Sequence, residues 1–418
     1  MLSAISNAFR VPELRKKILF TLAIIAIYRL GASIPVPGID LAAIQALLKT
    51  QSGGALGLLN LFAGGALERF AIFSLGIMPY ITSSIIMQLL TAVIPKVEQW
   101  SKEGETGQRK IIQITRYLTL ALGFVESIGL VTFFQSQTNM RFDLYQEFLI
   151  IASLLAGTAM IMWLGELITQ RGVGNGMSLL IFANIVARFP AAIAGSFSLS
   201  NPILVIAILL IIGAVIVAIV TMERAQRRIP VQYARRVVGR KVYGGTGTYI
   251  PLKINGANVV PIIFATSVLY IPQLLVPMFA TNRFVAPVLK FFQAGGAPYL
   301  LTEGLLIVFF TYFYTALIFN PIDLADNLRK QGGFIPGVRP GKATVTYIEN
   351  VLNRITFPGA VFLAIIAIAP SILFAFTNVT LLQVFGGTSI LIMVGVSLET
   401  MTQLESQLKM RHYDGFFK

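Results

Sequence analysis

Residues 355–398 read ITFPGAVFLAIIAIAPSILFAFTNVTLLQVFGGTSILIMVGVSL, without one charged side chain. A helix that crosses a bilayer needs about 20 mostly apolar residues, so this run is long enough to cross twice. The stretch from Asn378 to Gly387 is the natural break between the two crossings. The run therefore predicts a pair of membrane-spanning helices.

Similar uncharged runs recur along the chain, at 71–95, 148–165, 189–222, 254–282 and 304–322. The sequence is 56% hydrophobic and only 12% charged, whereas a soluble domain carries roughly 25% charged residues. Three segments that are shorter or carry one charge complete the set. We predict an all-α polytopic membrane protein with ten spans, at about 18–37, 70–94, 117–136, 147–168, 175–195, 201–222, 257–279, 300–320, 354–376 and 381–402.

The distribution of basic residues predicts the orientation of these spans. When loops are assigned alternately to two sides, one side holds most of the lysines and arginines, in segments 10–17, 94–116, 222–256, 320–347 and the tail. The other side holds only Lys49, Arg141, Arg283 and Lys290. Short basic loops stay in the cytoplasm, so both termini are expected to be cytoplasmic.

Ten spans with cytoplasmic ends divide into two halves of five, at the flexible stretch 194–198. The first half, 1–195, and the second, 196–418, are then inverted relative to each other. Inverted repeats are typical of membrane proteins whose working site lies between the halves.

A short apolar segment interrupts the first half. Residues 53–66 read GGALGLLNLFAGGA, which is too short to cross the membrane. Half-length helices at membrane depth persist where protein or a hydrated cavity surrounds them, so a re-entrant plug at about 56–67 is one interpretation. An ordinary loop helix outside the membrane is the equally weighted alternative.

Two cytoplasmic loops combine basic residues with ordered turns. Segment 226–243 alternates apolar and polar residues as a short strand or hairpin does, and segment 332–341 places Arg339 among glycines and prolines that favour a tight turn. Basic, structured projections suit docking to RNA phosphates or to an acidic protein surface. The alternative is that the basic residues only reflect the cytoplasmic bias of the loops.

The predicted spans lack the charged residues that a secondary transporter or an ion channel with a charged filter would need. Charges within or near spans are limited to Arg29, Glu126, Glu166, Arg188 and Glu303, without an acid–base pair at midmembrane. An inverted-repeat secondary transporter, which would need a titratable relay, is weakened as an alternative but stays open. An ion channel with a charged filter is disfavoured as well.

The composition also limits the chemistry of the chain. It contains no cysteine, which excludes disulfides and thiolate metal sites, and its single histidine, His412, excludes a histidine-rich metal site. No P-loop motif for nucleotide phosphates is present. We expect no cofactor, no metal and no enzymatic activity.

A series of motifs in order closely resembles the SecY/Sec61α family of protein-translocation channels over essentially the whole length. The matching stretches are RLG (29–31), IPVPG (34–38), GGAL (64–67), LGIMPYI (75–81), GVGNG (172–176), QRRI (226–229), FNP (319–321) with ADNL (325–328), FIPGVRPG (334–341) and FGGTS (385–389).

The resemblance implies a protein-conducting channel with a pore ring and a plug. The ring of apolar side chains would comprise Ile77, Ile81, Ile181, Ile263 and Ile392, with Met177 as a possible sixth member. The plug would comprise Leu58, Leu59, Asn60, Leu61, Phe62, Ala63, Gly64 and Gly65. Unfolded secretory polypeptides would pass through the ring, and membrane segments would leave sideways.

The resemblance further implies a lateral gate, docking loops and partners. The gate residues would be Thr82, Gln88, Glu126, Asn255 and Ser267, although the family has a neutral residue where this chain has Glu126. The docking residues for the ribosome or the SecA motor would be Arg228, Arg235, Arg236, Arg240, Lys241 and Arg339. Small subunits SecE and SecG, signal-sequence-bearing substrates and membrane lipid complete the expected partners, and the bacterial cytoplasmic membrane is the expected location.

Overall fold

A computed structural model of the chain describes residues 9, 11–50, 60, 63–138, 142–199, 202–233, 236–238, 241–243, 248–275, 296–377, 382 and 386–414. Up to Leu199 these residues form seven helices and one short 3-10 turn, Leu67–Arg69. The last of these helices runs through 194–198, so the flexible break that the sequence predicted there is wrong. The helices are α1 (Pro12–Gly31), α2 (Leu41–Thr50), α3 (Met78–Val93), α4 (Pro95–Lys102), α5 (Glu105–Thr138), α6 (Leu144–Arg171) and α7 (Gly176–Leu199).

The second half contains six further helices and five strands within the described residues. The helices are α8 (Pro202–Arg224), α9 (Val260–Leu275), α10 (Ala297–Ile318), α11 (Pro321–Lys330), α12 (Lys342–Thr377) and α13 (Gly387–Asp414). The strands are β1 (Gln226–Tyr233), β2 (Arg236–Val238), β3 (Lys241–Tyr243), β4 (Thr248–Lys253) and β5 (Gly333–Phe334).

A helix overlaps each of the ten predicted spans, but fewer helices qualify as spans by length and apolar composition alone. In the described part of the chain six qualify, or seven if the bent pair α3–α4 counts as one. The others are α1, which begins with several charged residues, α9, whose described apolar part is short, and α13, which becomes polar after Leu398. The chain is therefore a multi-pass membrane protein of mostly helical fold.

Helix α3 ends in a sharp bend. The axes of α3 and α4 differ by 101° across Ile94, which is extended and precedes Pro95. Proline disfavours the helical conformation of the preceding residue, so the chain leaves the axis of α3 at this point.

The two halves pack into one apolar core. Helix α1 contacts α6 and α7, and α13 contacts α7, α8 and α12. On the other side α9, from the second half, packs against α3 and α5 from the first half and against α10. Helix α9 therefore meets α3 and α5 along a seam, and α10 packs on α9.

The two basic loops, 222–256 and 320–347, fold into a small sheet with its own core, and the alternating pattern had predicted strands in the first of them. Strand β1 pairs antiparallel with β4 and β5, while β2 and β3 form a hairpin. The buried core beneath the sheet is formed by residues of β1, β4, α11, α12 and the turn after β5: Ile229, Val231, Leu252, Leu328, Ile335 and Ile348.

Candidate functional site: an apolar waist between the halves

The five predicted ring residues are buried in a single apolar cluster. They come from four helical regions, and each is at most 9% exposed: Ile77, Ile81, Ile181, Ile263 and Ile392. Met177, one turn before Ile181 on α7, belongs to the same cluster. The five isoleucines therefore all belong to the large buried core of the helix bundle, although the first and the last of them lie more than 300 positions apart in sequence.

A glycine turn sets the first two ring positions. Gly76 has a φ of +59°, a conformation that glycine adopts readily. Ile77 then caps α3, and the amide of Ile81 donates to the carbonyl oxygen of Ile77 at 3.1 Å. Ile77 and Ile81 lie four residues apart, so they project from one face of the helix.

Close backbone contacts position the ring residues of α7 and α13. A Cβ at Gly176 would lie 1.9 Å from the carbonyl oxygen of Gly165, and one at Gly387 would lie 1.7 Å from that of Ile366. Both helices therefore start against a neighbouring helix backbone, which only glycine permits. Ile181 and Ile392 follow one to two turns later and point into the shared core.

The predicted plug is only partly within the described residues. Leu58, Leu59, Leu61 and Phe62 lie outside them, whereas Asn60, Ala63, Gly64 and Gly65 lie inside. Ala63 is fully buried, and a Cβ on Gly76 would sit 3.2 Å from the Cα of Ala63. The described part of the segment therefore packs directly against the turn that leads into the ring.

Two gate candidates lie on helices that pack across the seam. Thr82 of α3 and Ser267 of α9 are both buried, and their hydroxyls donate to the carbonyl oxygens of Met78 and Ile263. These hydrogen bonds lie within each helix and satisfy the two hydroxyls. Neither side chain therefore needs a hydrogen-bond partner on the opposite helix.

The other three gate candidates differ from one another in their surroundings. Glu126 is buried, and its Oε2 atom has no hydrogen-bond partner among the described residues; the same is true of Oε1 of the half-buried Gln88. Asn255 is instead engaged at the end of α8, where its amide donates to Oε1 of Glu223 at 2.6 Å and to the carbonyl oxygen of Asn258 at 3.0 Å. The contact with Glu223 was not anticipated from the sequence.

The docking candidates in the two basic loops fall into two groups. Arg228 lies in β1, with its guanidinium 4.7 Å from the ring centre of Tyr249 on β4. Arg339 is exposed in a turn whose glycines, Gly337 and Gly341, both have positive φ. Arg236 and Lys241 lie in strands β2 and β3, whereas Arg235 and Arg240 lie outside the described residues.

Sequence comparison agrees with this architecture. A family model described as SecY matches residues 71–401. A curated protein translocase subunit SecY from Streptomyces scabiei is 49% identical, over 100% of both chains. The chain belongs to the SecY family. A second SecY relative, from Thermus thermophilus, is 46% identical, and the match covers 100% of this chain and 98% of the relative.

Solved structures show the same fold. A structure described as a protein conducting channel has a TM-score of 0.65 at 17% identity, and it covers 96% of both chains. A Sec61 chain from a canine ribosome–channel complex has a TM-score of 0.58 at 16% identity, again with 96% coverage of both. The SecY resemblance drawn from the motifs is therefore confirmed.

Arg29 and Arg188 were noted in the sequence only as charges within spans. In the structure Arg29 donates to the carbonyl oxygen of Gly64, within the predicted plug, and Arg188 pairs with Glu68, just after it. The sequence carried no signal for these contacts, because the partners lie 35 and 120 positions away.

Proposed function

We propose that the apolar waist is the seal and the passage of a protein-conducting channel. The relatives at 44–50% identity over the full length are protein translocase subunits, and the chain is accordingly a translocase channel subunit and not an enzyme by itself. One observation carries the assignment of the waist: five isoleucines from both halves share one buried cluster beside Ala63 and Gly76.

The chemistry of the ring suits a passage that must open and reseal. A narrow apolar constriction excludes water and therefore blocks ions without a charged gate. Aliphatic side chains can change rotamer and pack around a passing chain of any sequence, because they make no directional bonds. The plug segment, in this proposal, closes the outer side of the ring until a substrate displaces it.

Lateral release uses the seam at which α3 and α5 meet α9. Thr82, Gln88, Glu126, Asn255 and Ser267 line the gate in this proposal. An apolar segment that reaches the opened seam gains about 0.8 kcal/mol for each CH₂ group that it transfers to lipid. A signal sequence or membrane segment therefore leaves sideways, while a polar chain continues through the ring.

The finer topology also belongs to the proposal. It comprises ten spans in two inverted halves, 1–195 and 196–418, with both termini in the cytoplasm and the chain in the bacterial cytoplasmic membrane. The helix that overlaps each predicted span, the seam between the halves and the distribution of basic loops support it.

The partners follow from the family and from the cytoplasmic sheet. We propose SecE and SecG as small membrane subunits, and SecA or the ribosome as the source of driving force at Arg228, Arg235, Arg236, Arg240, Lys241 and Arg339. Relatives in fold include a Sec61 chain in a ribosome–channel complex and an Ssh1 complex bound to a ribosome. An exposed arginine in a rigid turn suits RNA phosphates or acidic side chains.

The absence of cysteine from the chain allows a direct test of the waist. One variant carries Ile81→Cys, and the control carries Leu210→Cys, at a residue of α8 that is 71% exposed. A secretory substrate with one cysteine in midchain is stalled in transit by a folded tail. We expect a substrate disulfide at position 81 and none at position 210.

Each other result has a definite meaning. Disulfides at both positions or at neither, with a substrate demonstrably stalled, would show that the waist is assigned wrongly. No stalled substrate in the wild-type complex, with all partners supplied, would reject the translocase function and return attention to the transporter alternative.

A further inference from the structure

A single carboxylate joins the plug segment to the fifth predicted span. Glu68 lies in the 3-10 turn Leu67–Arg69, and its Oε1 atom accepts from Nη2 of Arg188 on α7 at 3.0 Å. The same Oε1 atom accepts from Nδ2 of Asn60, in the plug segment, at 2.6 Å. Asn60 is buried, so its amide depends on this protein partner rather than on water.

A second contact ties the segment to the first predicted span. Nη1 of Arg29, near the end of α1, donates to the carbonyl oxygen of Gly64 at 3.0 Å. Gly64 has a φ of +65°, and a Cβ there would lie 2.4 Å from Oδ1 of Asn184 on α7 and 2.7 Å from Nη1 of Arg29. The backbone at Gly64 is therefore held between α1 and α7.

These contacts explain two arginines that lie within predicted spans. A charged residue inside a span is costly and is retained where it is paired or where it serves a pathway. Arg29 and Arg188 lie on different spans, yet both bind the short segment 60–68. The neighbouring Arg69 is directed elsewhere, since its Nη1 atom donates to Oγ of Ser33 at 2.9 Å.

We infer that Arg29, Glu68 and Arg188 form a polar latch that holds the plug segment against α1 and α7 while the channel is closed. The inference rests on the proposed function, because it assigns the segment the role of a plug. The side chain of Glu68 is 48% exposed and that of Arg188 is 23% exposed. A partly hydrated ion pair stabilises the closed position of the plug only modestly. An arriving substrate can therefore break the pair.

Charge reversal tests the latch. The chain is reconstituted with its partner subunits into vesicles, and the resting leak of a small anion is measured without substrate. Glu68→Arg and Arg188→Glu should each raise the leak, roughly fivefold, because like charges then repel across the contact. The double variant should bring the leak back towards the wild-type value, because opposite signs face each other again.

Two further variants serve as controls. Glu105→Arg reverses a glutamate that pairs with Arg109 at 2.7 Å on the exposed start of α5, far from the plug, and should leave the leak unchanged. Glu68→Gln keeps an acceptor for Asn60 and removes the charge, so it should raise the leak less than Glu68→Arg does. If Arg188→Glu fails to assemble, Arg188→Gln replaces it and should raise the leak in the same direction.

The outcomes separate the latch from the channel function. Unchanged leak in the Glu68 and Arg188 variants would overturn the latch, and so would a double variant that leaks as much as the single ones. Translocation of a signal-bearing precursor into the same wild-type vesicles is measured in parallel. Its failure would reject the proposed function, whereas normal translocation with no effect of the variants on the leak would reject the latch alone.

Discussion

At the scale of single residues, glycines decide how closely the backbone can approach the waist. A Cβ at Gly157 of α6 would lie 2.0 Å from the carbonyl oxygen of Ile72. The amide of Ile72 in turn donates to the carbonyl oxygen of Ile34 at 3.0 Å. Gly157 therefore sets the position of the segment that continues into Ile77 and the ring.

We expect Gly157→Ala to displace this segment and to destabilise the protein by about 1–3 kcal/mol, the usual cost of overpacking. Thermal unfolding of the purified complex in detergent measures the change. Gly213→Ala is the matched control, because Gly213 also lies inside a helix but has no atom within 4 Å of its Cβ position. Gly213→Ala should be neutral or slightly stabilising, because alanine has a higher helix propensity than glycine. An equal loss of stability in both variants would show that the contact with Ile72 is not responsible.

At the scale of elements, the cytoplasmic sheet is a small unit that carries Arg228 and Arg339. Its core is separate from that of the membrane helices. The turn with Arg339 is stabilised by a bond from the amide of Val338 to the carbonyl oxygen of Ile335, at 3.1 Å. Oγ1 of Thr344, in α12, donates to the carbonyl oxygen of Arg339 at 2.9 Å.

We expect Arg339→Ala to weaken binding of SecA or the ribosome about tenfold, the loss of one charge-assisted contact of about 1.5 kcal/mol, without a change in unfolding temperature. The affinity of SecA or the ribosome for the reconstituted complex is measured by equilibrium binding at two salt concentrations. The control is Arg109→Ala, which removes a side chain of equal charge that is 77% exposed at the start of α5. A similar loss in the control would mean that overall charge, and not the turn, governs docking.

At the scale of the whole molecule, the proposed function depends on movement between the two proposed halves. Helices α3 and α5 belong to the first half, and α9 and α10 belong to the second. Contacts of α9 with α3 and α5 close the seam on this side, while α7 contacts α8 and α13 on the other. In the proposed opening, the second set of contacts acts as the hinge.

We expect a crosslink across the seam to stop translocation. Cysteines replace Thr82 and Ser267 in the cysteine-free chain, and a short bifunctional maleimide joins them. A protease site is inserted at residues 244–247. If the two fragments stay joined after cleavage, the crosslink has formed. Precursor translocation should then be lost in proportion to the crosslinked fraction.

The matched control for this crosslink stays within one half. Thr82→Cys is combined with Thr119→Cys on α5, which packs against α3 on the same side of the seam. This link should leave translocation largely intact, because α3 and α5 move together in the proposed opening. Full activity of the Thr82–Ser267 crosslinked channel would contradict a gate at this seam.

Much of the architecture was predictable, because lipid imposes strong rules on sequence. Runs of apolar residues indicated where helices lie, and a helix overlaps each predicted span. The criterion of length and hydropathy alone finds only six or seven spans in the described residues. This criterion misses α1 and α13, because both helices contain charged or polar residues beside their apolar part. It considers the composition of each helix alone and ignores how neighbouring helices bury its side chains.

The sequence by itself determined the class of protein, the approximate positions of the helices, the strand pattern after α8 and the family. These depend on composition, short periods and local motifs. Only the tertiary structure decided that Asn255 is bound by Glu223, that Ile181 shares a cluster with Ile77 and Ile392, and that Arg29 and Arg188 contact Gly64 and Glu68. The physical reason is that such contacts join residues far apart in the chain, and helix packing alone sets the distances between them.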